Sequence, residues 1–466
     1  MERIVKSLLA GDWEMPLSDC VLRQCGMSSE IIYKGPGLFM QEVDKSIRLR
    51  VFAAPVEPSD AFHREFDQHL TPGVLVPDSH YFDFEGKDPY GTVWSANSIS
   101  IDTDFGSGTY VRAQPRFFEK KEERLKPAER PVVVAFIPKK IDLPWHVVTK
   151  TGDGGISVDR FEGNSGRFEW RIKRMDDGAW LSFECAGSPV EPYFEAFLRG
   201  LSILTGTRLN PICRSIYEGN RQTTRILNRL HEPDAQKLLA PMSMQRDFAG
   251  DAHLFLARFV EAAANATELR DAPSNLAHRY WHRILRARES DIENSSLVLS
   301  VAVEGLIMKT LVSRVNVDED FVKQAIDAKP LVEKAGLGPR ALNCVLKRLD
   351  SAAKPRVQDA LRQLASGGVI SDEHLKAWEK LRHAGAHGGV LEDDDRALQK
   401  HLDRFHVCLD LYYRLVFLLI GYTGKHTDYQ SRGWPTGHFR SSEEVTASNA
   451  NGLVNPLRAR RPPGTE

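Results

Sequence analysis

The chain has few cysteines, no long apolar run and almost no net charge, and each shortage removes a class of protein. Its six cysteines (Cys20, Cys25, Cys185, Cys213, Cys344 and Cys408) are scattered and never form a C-x-x-C pair. A zinc ribbon or a disulfide framework is therefore not expected, and a reducing compartment is the simplest setting. The longest apolar run, LVFLLIGY at 415–422, falls well short of the roughly 20 residues that carry a helix across a bilayer. The opening stretch MERIVKSLLAGDWE does not read as a secretory signal, because Lys6 interrupts its short apolar segment and Asp12 and Glu14 close it. A cytoplasmic protein with no membrane partner is the expectation. A formal net charge of −1 gives no global attraction to polyanions, so nucleic-acid binding would have to come from local basic patches. The GSG and GDGG stretches at 106–108 and 152–155 lack a following Lys-Ser or Lys-Thr, and no G-x-S-x-G elbow occurs. Phosphate-loop and nucleophile-elbow chemistry are not indicated.

What the sequence does contain is a change of periodicity. With 466 residues, 42% of them hydrophobic, and a mean hydropathy of −0.35, the chain is long enough for two or three globular domains. Up to about residue 187 it reads as strands: SIRLRVFA, TVWSANSISID, RPVVVAFI, FEWRIKR and WLSFEC alternate with the turn clusters YKGPG, KTGDGG and MDDG. An antiparallel sandwich or distorted barrel is predicted there. Residues 188–249 read as a helical bridge, including helices over EPYFEAFLRGLSILTG and RSIYEGNRQTTRILNRL. Residues 250–424 are helical almost throughout, and 425–466 form a polar tail expected to be partly mobile. The fold class is thus α+β and multidomain, with a β-rich amino-terminal part followed by an all-α bundle.

One segment combines chemistry with an unusual local structure. Ser371 is a good N-cap followed by Asp372 and Glu373, and Leu375, Trp378 and Leu381 then build an apolar stripe. The helix weakens at HAGAHGG (383–389), and another begins near Glu392, its amino end marked by Asp393, Asp394 and Asp395. Arg382, His383 and His387 therefore sit at the corner of a helical hairpin. The spacing of Arg382 and His387 is not distinctive by itself, since Arg64 with His69 and Arg396 with His401 repeat it. In a continuous helix such a pair points roughly 140° apart; only Arg382 and His387 straddle a glycine-rich break. These basic residues could equally hydrogen-bond the last carbonyls of their helix. His383 could orient Arg382, bind substrate or point to water. Glu304 lies among Val301, Leu306 and Ile307, where it needs a partner, and an ion pair with Arg382 would supply one. A metal pair made of His383 and His387 is not favoured, because position 384 is Ala and Gly385 weakens the helix.

The stretch WEKLRHAGAHG resembles the signature of HEPN-domain ribonucleases, in which Arg, a polar residue, three variable residues and His close one helix of a bundle. Arg382, His383 and His387 match those positions, and NSSLVLSVAVEGLIMKTLV, with Glu304 midway, resembles the first long helix. The order of a β-rich half, a helical bridge and a carboxy-terminal bundle is similar to the ApeA-type anti-phage proteins. The resemblance implies a metal-independent endoribonuclease in anti-phage defence of the abortive-infection kind. RNA would be its substrate, no cofactor would be needed, and a homodimer would complete a composite Arg/His site. It also implies that the β-rich part meets a phage-derived trigger. Two readings from other classes stand beside it: a catalytically silent RNA-binding or adaptor protein, and a dimerisation module on the same bundle.

Overall fold

The computed structural model describes residues 1–26, 30–53, 74–103, 110–150, 155–187, 189–228, 237–266, 272–315, 319–352, 354–386 and 394–440. The chain divides into two compact units, Met1–Leu198 with Leu209–Asp234, and Arg199–Arg208 with Ala235–Glu466.

The first unit opens with helix α1 (Glu2–Ala10) and continues as strands β1 (Glu14–Gln24), β2 (Ile32–Gln41), β3 (Ile47–Val51), β4 (Tyr81–Lys87), β5 (Val93–Thr103) and β6 (Val111–Gln114). These six pair in the order β4-β1-β2-β3-β6-β5, and β4 pairs again with β5, so the sheet closes into a barrel. Closure leaves those strands without open edges. Alternation drives it: Ile47, Leu49 and Val51 of β3 and Phe82 and Phe84 of β4 all point inward. In the centre Phe39 stacks on the barrel-adjacent Phe118 at 4.1 Å between ring centroids. Gly35 of β2 lets two strands approach closely, since a Cβ there would lie 2.1 Å from the Phe52 carbonyl oxygen.

From β5 the same sheet runs outward through β7 (Phe117–Glu123), β14 (Arg221–Leu227), β13 (Cys213–Glu218), β8 (Val132–Ile137), β12 (Gly178–Cys185), β11 (Phe168–Met175), β10 (Ile156–Asn164) and β9 (Val147–Lys150). Every pairing is antiparallel. Phe194 and Phe197, at the start of helix α2 (Glu191–Thr205), cover one face of this extension by packing on Phe183 and Trp170. The helix predicted over RSIYEGNRQTTRILNRL is not formed. Residues 213–227 instead make the β13–β14 hairpin, with Gly219 at φ +56° in its two-residue turn. Among the described residues of the bridge, the α-helix is Glu191–Thr205, and a 3₁₀ turn forms at Arg246–Phe248.

The second unit contains α3 (Ala249–Ala264), α4 (Pro273–Ala287), α5 (Ile292–Thr310), α6 (Glu319–Lys334), α7 (Pro339–Ala352), α8 (Val357–Ser366), α9 (Asp372–Ala386) and α10 (Asp395–Ile420). A hairpin of β15 (Gly424–Thr427) and β16 (Thr436–Phe439) follows. Its core is built from Phe255, Phe259, Trp281, Leu299, Leu306, Phe405, Leu409, Tyr412 and Phe417, all fully buried. Helix α5 packs against α4, α9 and α10. Among the described residues no helix is long and apolar enough to cross a membrane.

Candidate functional site

Helix α9 is fixed to its neighbours by side chains one turn apart. Ala377, Trp378 and Leu381 are buried, and the Trp378 indole donates to the Ser300 carbonyl of α5 at 3.0 Å. One turn further along both helices, the Arg382 Nε donates to the Glu304 carboxylate at 2.6 Å. Both contacts advance by four residues on each helix, so α5 and α9 run side by side in the same direction. The expected partner of Glu304 is therefore the one it has. At 36% and 35% side-chain exposure, this ion pair contributes at most about 1 kcal/mol to folding. Its effect is directional: it fixes the plane of the guanidinium while, among the described residues, only Nε is engaged.

His383 is exposed at the next position. His387 lies outside the described residues, as do Arg64 and His69. Arg396 and His401 both lie on the unbroken α10, where His401 is buried and its Nε2 is 2.7 Å from the Ser296 hydroxyl. That pair cannot converge. The structure thus brings Arg382 and Glu304 together and places His383 beside them at the surface.

Two features around the pair concern its surroundings. On the face of α5 that carries Glu304, Val301 and Met308 are 41% and 54% exposed. Beside it, Tyr280 of α4 lies across Gly305, where a Cβ would be 2.3 Å from the Tyr280 hydroxyl oxygen. The Arg283 guanidinium sits over the Tyr280 ring at 5.6 Å. Arg279, Arg283 and Arg286 are exposed at i, i+4 and i+7 of the same helix, and so form a basic stripe on one face.

Sequence reasoning missed a second polar constellation, at the opposite end of α9. Asp410, fully buried in α10, accepts from His374 Nε2 at 2.9 Å and from Arg414 Nε at 2.6 Å. Arg414 also reaches His426 of β15, at 3.2 Å. Burial works against the Asp410 charge, but the bonds from His374 and Arg414 outweigh it and hold the carboxyl below its usual range. Burial, aided by the Arg414 charge, pushes His426 down to about 4.

Ser371, His374 and Asp410 superficially line up as a nucleophile relay, since the Ser371 hydroxyl is 2.8 Å from His374 Nδ1. That nitrogen, however, already accepts the Ser371 backbone N–H at 3.0 Å, and a neutral imidazole has one lone pair to offer. His374 acts as a helix-capping side chain in the position where Glu or Gln usually closes a capping box. The signal in the sequence was Asp410 and Arg414, four apart inside an otherwise apolar stripe.

Aromatic and basic residues interleave after the bundle, a mix able to stack bases and hold phosphates, but they are in good part structural. Tyr422, His426, Tyr429 and Phe439 are buried, and the Tyr429 hydroxyl donates to the Ala240 carbonyl. Lys347, Arg348 and Lys354, a local cluster of basic residues, are exposed on or next to α7. Among the described residues no group of three or more His, Cys, Asp or Glu is placed to hold a metal. Comparison of the chain with family models, with curated proteins and with solved structures finds no match.

Proposed function

We propose that the helical unit is a metal-independent endoribonuclease of the HEPN type, working in the cytoplasm in ApeA-like anti-phage defence and completed by a second copy of the chain. The observation that carries this reading is the half-exposed guanidinium of Arg382, oriented by Glu304 at the end of α9. The glycine-rich stretch GAHGG (385–389) that contains His387 follows in the sequence.

RNA carries its own nucleophile in the 2′-hydroxyl, which DNA lacks. A base removes that proton as the 2′-oxygen attacks phosphorus. The P–O5′ bond breaks, and an acid supplies a proton to the departing 5′-oxygen. The products are a 2′,3′-cyclic phosphate and a 5′-hydroxyl. His387 is assigned as the base or acid, since an imidazole near its ordinary pKa of about 6.5 serves either role. Arg382 is the phosphate clamp, its Nη groups meeting the non-bridging oxygens as charge builds. His383, exposed beside it, orients or contacts the RNA. The two imidazoles that acid–base catalysis needs come from two copies. Exposed Val301 and Met308 flank Glu304 on a face suited to pairing, and the Arg279–Arg283–Arg286 stripe offers phosphate contacts nearby. The β-rich unit receives the trigger.

The test is cleavage of total RNA in excess chelator by the wild type and by Arg382→Ala and His387→Ala. Loss of a positioned proton-transfer group lowers the rate by about 10²- to 10⁴-fold, and the products carry cyclic phosphate ends. Variants that cut as well as the wild type would sink the assignment. RNA retention without scission in any form would mark the chain as an adaptor.

A further inference from the structure

The sheet extension of the β-rich unit carries a surface groove of about 460 Å³, within the range of roughly 300–1,000 Å³ typical of small-molecule sites. Its floor is the face of β8, β11 and β12 opposite the one covered by α2. The strand register dictates what meets there. Lys173 of β11 stands directly opposite Trp180 of β12, and Arg171 opposite Ser182. Trp180 and Ser182 in turn stand opposite Phe136 and Val134 of β8. Trp180 is braced by an edge contact with Phe136 at 5.0 Å, and it remains partly exposed in the groove.

One rung of this face opposes like charges, while on the next Glu162 of β10 stands opposite Arg171. Arg160 of β10 lies directly opposite Lys173, and like charges in that relation repel. Arg171 is neutralised by Glu169. Lys173 has no ion-pair partner among the described residues. Arg160 stands one strand beyond the groove's lining residues; among the described residues it reaches the Glu162 carboxylate, at 3.8 Å, and its Nε is buried without a hydrogen-bond partner. An anion bound between Arg160 and Lys173 would turn that repulsion into two attractions. The indole one position along the same rung offers a flat apolar surface, and the Ser182 hydroxyl on the next rung is a polar handle. Val134 and Met175 complete apolar walls, and Glu2 is the one carboxylate among the lining residues.

We infer that this groove binds a mononucleotide, with the phosphate between Arg160 and Lys173 and the base against Trp180. Ring, hydroxyl-bearing linker and anion are the three chemistries the register sets side by side. The inference concerns the β-rich unit alone and stands whether or not the helical unit cuts RNA.

The test is calorimetric titration of the full chain with adenosine 5′-monophosphate, adenosine and inorganic phosphate, together with thermal melting. The nucleotide is expected to bind at least tenfold more tightly than either fragment. Lys173→Glu should weaken it at least tenfold while leaving the melting temperature unchanged or raised, because that substitution replaces the repulsion with Arg160 by an attraction. Trp180→Phe should weaken it less, and Arg382→Ala not at all. No binding at millimolar nucleotide, equal affinity for inorganic phosphate, or unchanged affinity in Lys173→Glu would each overturn the proposal.

Discussion

Helix α9 carries a charge pair near each end, and the two differ chiefly in their access to water. His374 and Asp410 are 1% and 0% exposed, whereas Arg382 and Glu304, eight residues further along α9, are 36% and 35% exposed. In the buried pair every strong donor is consumed internally: Asp410 takes both His374 and Arg414, and His374 Nδ1 is occupied by the Ser371 backbone. In the exposed pair, among the described residues, a single guanidinium nitrogen is engaged. Burial makes the first a fastener; exposure leaves the second with donors to offer a ligand. The comparison breaks most decisively if these roles can be exchanged by mutation.

The largest effect is expected at the exposed end, in activity alone. Arg382→Ala should lower RNA cleavage by about 10²- to 10⁴-fold, as removal of a preorganised charge-stabilising or proton-transfer group does. Its unfolding free energy should move by less than about 1 kcal/mol, the worth of a surface ion pair. Arg382→Lys should also be impaired, because an ammonium does not reproduce the planar fork. An unfolding curve shifted as far as the activity would show that the pair is a fastener too.

The buried end should answer in stability. Asp410→Ala leaves Arg414 and His374 facing a cavity without their acceptor, a change that typically costs about 3–5 kcal/mol. Asp410→Asn keeps one acceptor oxygen and should lose less. Urea denaturation of the three proteins measures this. A loss below about 1 kcal/mol in Asp410→Ala would mean that the burial penalty of the charge cancels its bonds.

These two ends were unequally legible in the sequence. The Arg382–Glu304 pair could be anticipated because one acidic residue among Val301, Leu306 and Ile307 demands a partner, and because capping and periodicity place α9 correctly. The His374–Asp410–Arg414 cluster was hidden by the same logic, since an apolar stripe absorbs a lone polar position unless its partners on other elements are known. The β13–β14 hairpin failed differently. Cys213, Arg214, Ser215 and Ile216 are all buried, so β13 lacks the in-and-out alternation that marks a half-exposed strand. Its arginines and glutamates then mimicked a helical face. The Gly219–Asn220 pair was the available turn signal. Barrel closure was out of reach because the β1–β4 and β3–β6 pairings join strands far apart in the chain, while β3 and β5 were announced by their alternation.

Acid sharpens the comparison further, because the buried end contains a strongly shifted imidazole. His426 is pushed down to about 4 by burial and by Arg414, whereas an unfolded histidine titrates near about 6.5. Between these values the unfolded chain binds a proton that the folded chain refuses, so stability falls as pH drops from about 6.5 to 4. The loss is on the order of 3 kcal/mol at the lower end for a shift of this size. Asp410 acts in a lower window. Its depressed folded pKa contributes stability that is present above the unfolded value of about 3.9 and disappears only as pH falls through the folded one. His426→Gln, which retains an acceptor for Arg414, should flatten the upper part of the acid limb and leave the lower part. An unchanged slope between pH 6.5 and 4 would remove His426 from this account.

The smallest effect tests whether the exposed end continues into a binding surface. Arg279 and Arg283 make no ion pair among the described residues, and Arg283 lies over Tyr280, which itself crosses Gly305 next to Glu304. If RNA passes over α4 on its way to Arg382, each arginine holds about one phosphate. Replacing either with Gln should then reduce the slope of log affinity against log salt by about 0.7, as expected for one lost contact to a single strand. The measurement is RNA binding by a cleavage-deficient Arg382→Ala background across a salt series, with the Gln variants compared at each concentration. The stripe is solvent-facing, so neither substitution should move the melting temperature, and a fall in affinity without a change in slope would point to lost packing of Tyr280. Unaltered affinity and slope would confine the working surface to the corner of α9 and leave α4 as an ordinary solvated face.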